Sequence, residues 1–232
     1  MKRNREIKES ALKAMDGHWG WVILVCIVYT AITAAVTAPQ SIANSAANIS
    51  HGFGSPATSL AFAGTSVIIS SITCLVSIFG LNLLAVGLAN SVSRFYKEGD
   101  FKTVGNMFRL GFGGGRYWKN LVGMFLVGLF TFLWMLLFIV PGIIKAYAYA
   151  MTPYILVDNP ELGPREARLK SIEMMRGHKG KLFGLELSFI GWFLLCILSL
   201  GIGFIWLAPY YQTTHAAFYH NLLEEQAQKS AE

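Results

Sequence analysis

Three ionisable side chains interrupt long apolar runs and are the first candidates for chemistry, namely Lys145, Glu186 and His215. Charged groups inside apolar segments long enough to cross a membrane are rare there and mark functional sites. Lys145 lies one helical turn before Tyr149, and two interpretations stay open for it. Its amine either extends to the membrane interface or lines a cavity and binds an anionic head group.

Glu186 lies near the start of an apolar run that follows a basic segment. We expect its carboxylate to pair with a nearby base such as Lys179 or Lys181. An ion pair between Glu186 and Lys145 is excluded, because the predicted topology puts the two residues on opposite sides of the membrane.

Tyrosines flank His215 at helical spacing, with Tyr211 and Tyr219 four residues away on either side and Gln212 beside them. Residues four apart share one face of a helix. This polar stripe is either a hydrogen-bonded helix-packing face or a proton-sensing or substrate-lining one. A second aromatic stripe, Tyr147 and Tyr154, is typical of packing or of a membrane-interface belt.

Catalytic and metal-binding patterns are missing from the sequence. Asp158, Glu161 and Glu166 match no ligand spacing, and the three cysteines lie within apolar runs, without the spacing of a metal site or a disulfide framework. The GFGGG segment at 111–115 lacks the Lys-Ser/Thr ending of a phosphate loop. We therefore predict no catalytic residue, no metal and no cofactor, and a protein that is not an enzyme.

Composition indicates a membrane protein. The chain is 54% hydrophobic and 14% charged, whereas soluble domains carry roughly 25% charged residues. The net charge of +6 comes from Lys and Arg clustered beside apolar runs. That distribution is typical of the positive-inside rule and of contact with anionic lipid, not of nucleic-acid binding.

The predicted fold is an all-α polytopic transmembrane bundle with about six spans arranged as three hairpins. A signal peptide is the alternative for the first run, but that run is too long and proline would follow the cleavage site. Charge then orients the chain. The spans are about 19–38, 66–90, 121–140, 143–159, 182–200 and 202–219; residues 39–65 form an outer loop, and 1–18, 91–120, 160–181 and 220–232 are cytoplasmic.

Each hairpin follows a basic segment, and the sequence MDGHWG at 15–20 resembles MRGHKG at 175–180. The helix predicted after Gly163-Pro164 has Leu169, Ile172 and Met175 on one face, as an interfacial amphipathic helix would. Its basic residues form a candidate surface for anionic lipid of the cytoplasmic leaflet, made of Arg165, Arg168, Lys170, Arg176, Lys179 and Lys181.

Several segments resemble a known family. These are PGIIKAYAYAMTPYILVDNP, SIEMMRGHKGKLF, LSFIGW and GIGFIWLAPYYQTTHAAFY, with a weaker match at REIKESALKAMDGHWG. Over about residues 120–220 the chain resembles the domain-of-unknown-function family 975, small integral membrane proteins of bacteria. The resemblance implies a multi-pass plasma-membrane protein with cytoplasmic termini, and it implies no activity.

Two functional hypotheses follow. The first is a non-enzymatic membrane module that binds lipid, another membrane protein or a second copy of itself. The second is a small transporter or lipid-handling protein with an intramembrane cavity near Lys145 and His215. The second hypothesis requires these two side chains to converge on one wet cavity, and few intramembrane polar groups support a transport path.

Overall fold

Helix is the only regular structure in the part of the chain that the structure describes, which confirms the all-α prediction. The structure is a computed structural model that describes residues 3–53, 55–99, 103–113, 117–137 and 139–231. Its α-helices are α1 (Asn4–Met15), α2 (Trp19–Phe53), α3 (Pro56–Val76), α4 (Asn82–Glu98), α5 (Thr103–Phe112), α6 (Tyr117–Leu137), α7 (Ile139–Tyr149), α8 (Thr152–Asp158), α9 (Pro164–Met174), α10 (Lys179–Leu187), α11 (Ile190–Leu198) and α12 (Phe204–Ala231); a π-helical turn, Ser77–Leu81, joins α3 to α4.

The N-terminal helix α1 is part of the protein core. Ile7, Ala11 and Met15 recur at four-residue spacing and are fully buried, as expected for one face of an amphipathic helix. Asn4 donates to the carbonyl of Lys181 (3.1 Å), and α1 packs mainly along α12. The apolar face of α1 is therefore covered by protein, not by the membrane interface.

The prediction that residues 39–65 form a loop is wrong, because α2 continues to Phe53 and α3 begins at Pro56. Serine, threonine and asparagine favour loops when they compete for backbone hydrogen bonds. Here their side chains bond within the helix: Ser45 donates to the carbonyl of Ser41 (2.9 Å) and Gln40 to Asn44 (2.8 Å). The place of this hairpin outside the membrane stays a prediction.

Helices α4 and α5 approach each other closely at two glycines. A Cβ atom on Gly87 would lie 1.9 Å from the carbonyl oxygen of Met107, and one on Gly111 would lie 2.6 Å from that of Leu83. The small-residue spacing of Gly87 and Ser91 indicates such close packing, and the structure confirms it at Gly87.

Helices α7 and α8 return along α6. Lys119, near the start of α6, donates to the carbonyl of Pro160 (2.8 Å), and Gly142 in α7 packs against Met135 near the other end. Pro141 and Gly142 lie in the first turn of α7, where proline is tolerated. Helix α6 ends at Leu137, three residues before the predicted end of the third span at residue 140.

The predicted fifth span is two helices, because the α-helix ends at Leu187 and resumes at Ile190. A tight turn with Gly201 at φ +88° follows α11, and Gly203 packs against Cys196. Helix α12 continues to Ala231, well beyond the predicted end of the sixth span at residue 219.

The described part of the chain holds four segments long and apolar enough to cross a membrane, namely Trp19–Ile49, Leu60–Glu98, Tyr117–Leu137 and Lys179–Leu198. Much of their surface is exposed and apolar: Leu136 is 74% and Leu198 82% exposed. Such faces favour contact with lipid. The count of six spans stays a prediction.

Candidate functional site

Glu186 is the centre of a polar cluster that joins three helices. Tyr147 of α7 donates its hydroxyl to Oε2 (2.5 Å), and Tyr211 of α12 donates to Oε1 (3.2 Å). His215, one turn after Tyr211, has its Nε2 atom 3.4 Å from Oε1. Hydrogen bonds to a charged group are stronger than those between neutral groups, so this cluster connects α7, α10 and α12. We call these four residues the Glu186 cluster.

The Glu186 cluster differs from the pairing expected from the sequence. Lys179 lies seven residues before Glu186, which is about two turns of α10 or roughly 10 Å along its axis. Lys181 lies five residues before Glu186 and therefore points to a different side of the helix. The carboxylate points instead to tyrosines and a histidine of other helices. Tyr211 and His215 do share one face, with ring centroids 4.4 Å apart, and Gln212 beside them is half-buried.

A second polar group lies around Tyr219, which sequence reasoning assigned to the stripe of His215. Tyr219 donates to Asp158 (2.9 Å) and stacks on Tyr154, with centroids 4.9 Å apart. The next residue, His220, shares a hydrogen bond with Ser93 of α4 (2.9 Å). Asp158 was considered only as a possible metal ligand, and nothing in its spacing indicated this contact with α12.

Lys145 of α7 and Arg168 of α9 both contact aromatic rings of α6. Arg168 was predicted to belong to the basic surface for anionic lipid, not to the site of Lys145 and Tyr149. The Arg168 guanidinium carbon is 3.9 Å from the ring centroid of Phe130 on α6 and 5.6 Å from that of Tyr149. The Lys145 amine lies 5.0 Å from the ring centroid of Trp134, also on α6. Helix α9 therefore packs against α6 and α7, where Ser171 donates to the carbonyl of Ala148 (2.8 Å).

The apolar face predicted for α9 is observed only in part, because Met175, directly after the helix, is fully buried but Leu169 is not. Leu169 is 48% exposed, whereas Ala167, Ser171 and Met174 are buried. The other basic residues lie at or near the surface: Lys170 donates to Asn159 (2.8 Å), Lys179 is half-buried, and Arg165, Arg176 and Lys181 are exposed.

Outside the candidate spans, a contact between a histidine and a carboxylate joins the turn after α9 to the C-terminal part of α12. His178 Nε2 lies 3.4 Å from Oε1 of Glu225. Burial lowers the pKa of His178, although the charge of Glu225 acts to raise it. A hydrogen bond from Lys229 lowers the pKa of Glu225 to about 2. Glu225 is therefore negatively charged at neutral pH, while His178 is mainly neutral.

An open apolar cavity lies between α1, α11 and α12, with a volume of about 470 Å³. Three tryptophans line it, Trp19, Trp192 and Trp206, and its wall includes Leu12 and Leu195. None of the residues predicted as a binding site lines this cavity. The four-residue spacing of Trp206 and Tyr210 on α12 is a sequence signal that could have indicated it.

Among the described residues, no group of three or more His, Cys, Asp or Glu side chains is arranged to hold a metal ion. The cysteines are free, with Cys26 and Cys196 buried and Cys74 exposed. The glycine-rich segment 111–115 includes residues 114 and 115, which lie outside the described ranges.

Comparison of the chain with known proteins identifies a family but no individual relative. No curated protein and no solved structure is similar enough to the chain to match it. Residues 124–226 match the model of a family described as protein of unknown function (DUF975). The matched region contains the Glu186 cluster together with Lys145 and Arg168, and the family's description assigns no activity to them. The predicted resemblance to this family is confirmed by the match over residues 124–226.

Proposed function

We propose that this protein is a non-enzymatic, multi-pass module of the bacterial plasma membrane that binds lipid, with both termini in the cytoplasm. The observation that carries the proposal is the open apolar cavity between α1, α11 and α12. Its volume of about 470 Å³ lies within the roughly 300–1,000 Å³ of small-molecule sites. Its lining suits a hydrocarbon chain.

The surroundings of the cavity support a lipid as its occupant. The neighbouring residues of α11 are among the most exposed apolar side chains, including Leu194 at 62% and Leu198 at 82%. An acyl chain can enter from such a surface without crossing water. Trp192 and Trp206 provide the rings that favour the border between hydrocarbon and head groups.

The polar groups support a binding module more than a catalyst. Tyr147 and Tyr211 direct their hydroxyls at Glu186, so these three side chains satisfy each other. Catalysis requires acid, base or nucleophile groups that face a substrate cavity. None of these three residues is part of the wall of the apolar cavity.

The transporter alternative requires Lys145 and His215 to face one wet cavity. Lys145 contacts Trp134 on α6, whereas Tyr147, two residues later, faces Glu186 and thereby His215. Residues two apart on a helix point about 200° away from each other. The two predicted positions thus have different neighbours, and the binding module is the better supported function.

A photo-reactive lipid tests the proposal. The protein is placed in nanodiscs that contain a phospholipid with a diazirine on its acyl chain, irradiated, and mapped by peptide mass spectrometry. We expect adducts on the peptides that carry Leu195 and Trp206. Leu12→Trp, which fills the cavity, should reduce them several-fold. Leu198→Trp adds the same ring on exposed surface outside the cavity wall and should leave them unchanged.

Two outcomes would contradict lipid binding in the cavity. Equal labelling in wild type and Leu12→Trp would mean that the adducts come from lipid that contacts the exposed surface of the protein outside the cavity. Labelling that excludes these peptides, together with a stable protein partner or homo-oligomer in native mass spectrometry, would favour a protein-interaction module instead.

A further inference from the structure

We propose that Lys145 and Arg168 form one binding site for the phosphate of an anionic phospholipid, next to Phe130 and Trp134 of α6. The proposal rests on the membrane location given above but not on the cavity between α1, α11 and α12, which has a different lining. It combines two residues that the sequence assigns to opposite sides of the membrane.

Arg168 contributes a guanidinium that is held in place by two aromatic rings. Its carbon lies 3.9 Å from the ring centroid of Phe130 and 5.6 Å from that of Tyr149. Cation–π contacts of this kind attract and orient the planar group. The Nε atom is buried and donates no hydrogen bond in the structure, so a donor remains for a ligand.

Lys145 supplies the second positive charge from α7. Its amine lies 5.0 Å from the ring centroid of Trp134. Phe130 and Trp134 are four residues apart, so they lie on one side of α6 with about 6 Å between their backbone positions along the helix axis, and each ring has one of the two cations next to it. A phosphate group between them can accept hydrogen bonds from both side chains.

The charge balance points to an anion as the missing partner. Neither Lys145 nor Arg168 forms an ion pair with an acidic side chain among the residues that the structure describes. Two like charges next to apolar surface are unfavourable unless a counter-charge or water solvates them. An anion between them removes that cost.

The adjacent surface indicates that this anion belongs to a lipid. An open cavity of about 360 Å³ is lined by Phe130 and Trp134, the two residues whose rings the cations contact, and by three leucines of α6. Leu136 in this lining is 74% exposed. A phospholipid offers both a phosphate for the cations and an acyl chain for the leucines, whereas free phosphate offers only the first.

Native mass spectrometry of protein released from nanodiscs tests this site. The discs contain phosphatidylglycerol and phosphatidylcholine in equal amounts. We expect wild type to retain phosphatidylglycerol preferentially. The double variant Lys145→Gln/Arg168→Gln should lose this preference by about tenfold, which corresponds to about 1.4 kcal/mol.

The matched control is Arg165→Gln/Arg176→Gln, which removes the same charge from exposed positions and should keep the preference. Arg168→Lys keeps the charge but not the planar stacking and should give an intermediate value. The melting temperature of each variant shows that it is folded.

Several results would overturn the site. An equal loss in the control double variant would mean general attraction to basic surface. A preference that survives in Lys145→Gln/Arg168→Gln would exclude these residues. Displacement of phosphatidylglycerol by inorganic phosphate would assign the site to a soluble anion. Lipid retained without head-group preference would reject this inference alone, whereas no retained lipid of either kind would also count against the proposed function.

Discussion

A single carboxylate accepts two tyrosine hydroxyls and lies beside a histidine in the Glu186 cluster, with contributions from three helices. If these contacts hold α7, α10 and α12 together, removing one hydroxyl should lower the free energy of unfolding. Tyr147→Phe deletes the hydrogen bond to Oε2, and hydrogen bonds to charged groups contribute about 1.5–3 kcal/mol.

The measurement is unfolding in detergent, arranged as a double-mutant cycle. Tyr147→Phe should destabilise wild type by about 1.5–3 kcal/mol but have much less effect in Glu186→Ala, where the acceptor is gone. Tyr149→Phe is the control, because its hydroxyl donates no hydrogen bond to any described residue. Equal effects of Tyr147→Phe in both backgrounds would show that the hydroxyl does not depend on Glu186.

Residue-level patterns predicted part of this arrangement. Four-residue spacing indicated that Tyr211 and His215 share a face, and their rings are in contact. Spacing along one helix carries no information on which other helix faces it. For that reason the partner of Glu186 was expected among neighbouring lysines, and the approach of Arg168 to Phe130 was not anticipated.

At the scale of elements, glycine determines how closely α4 and α5 pack. Gly87→Ala would place its Cβ atom 1.9 Å from the carbonyl oxygen of Met107, so the two backbones must move apart. Overpacking of this kind costs about 1–3 kcal/mol. We expect Gly87→Ala to lower the melting temperature in detergent by several degrees.

Gly105→Ala is the matched control on α5, because a Cβ atom there meets no atom within 4 Å. Replacing this glycine should be neutral or stabilise the helix by up to about 1 kcal/mol. If both substitutions change the melting temperature equally, the close approach at Gly87 does not contribute to stability.

The sequence predicted where most of the long helices lie, but not where several of them end. Apolar runs indicated α2, α3, α6 and α11, since a bilayer-length run of such residues favours helix. The polar stretch after residue 39 was taken for loop, although its serines and threonines bond back to their own helix. The third span was predicted to end at residue 140, yet α7 already begins at Ile139 with Pro141 in its first turn, a position where proline is favoured.

At the scale of the whole molecule, charge predicts that the tip of the α2–α3 hairpin is outside and that Arg176 is cytoplasmic. In a variant with Cys26, Cys74 and Cys196 replaced by alanine, Ser55→Cys should react with a membrane-impermeant maleimide on intact cells. Arg176→Cys should react only after permeabilisation. Its labelling on intact cells would mean that residues 139–158 do not cross the membrane.

On the topology proposed above, the length of α2 determines what the protein can contact outside the cell. Its 35 residues rise about 52 Å at 1.5 Å each, whereas the hydrocarbon core is about 30 Å thick and the bilayer with its head groups about 40–45 Å. With Trp19 at one interface, the turn at Ser55 stands clear of the opposite head groups. An antibody or the binding surface of a neighbouring cell-envelope protein can therefore reach this tip without any opening of the helical bundle.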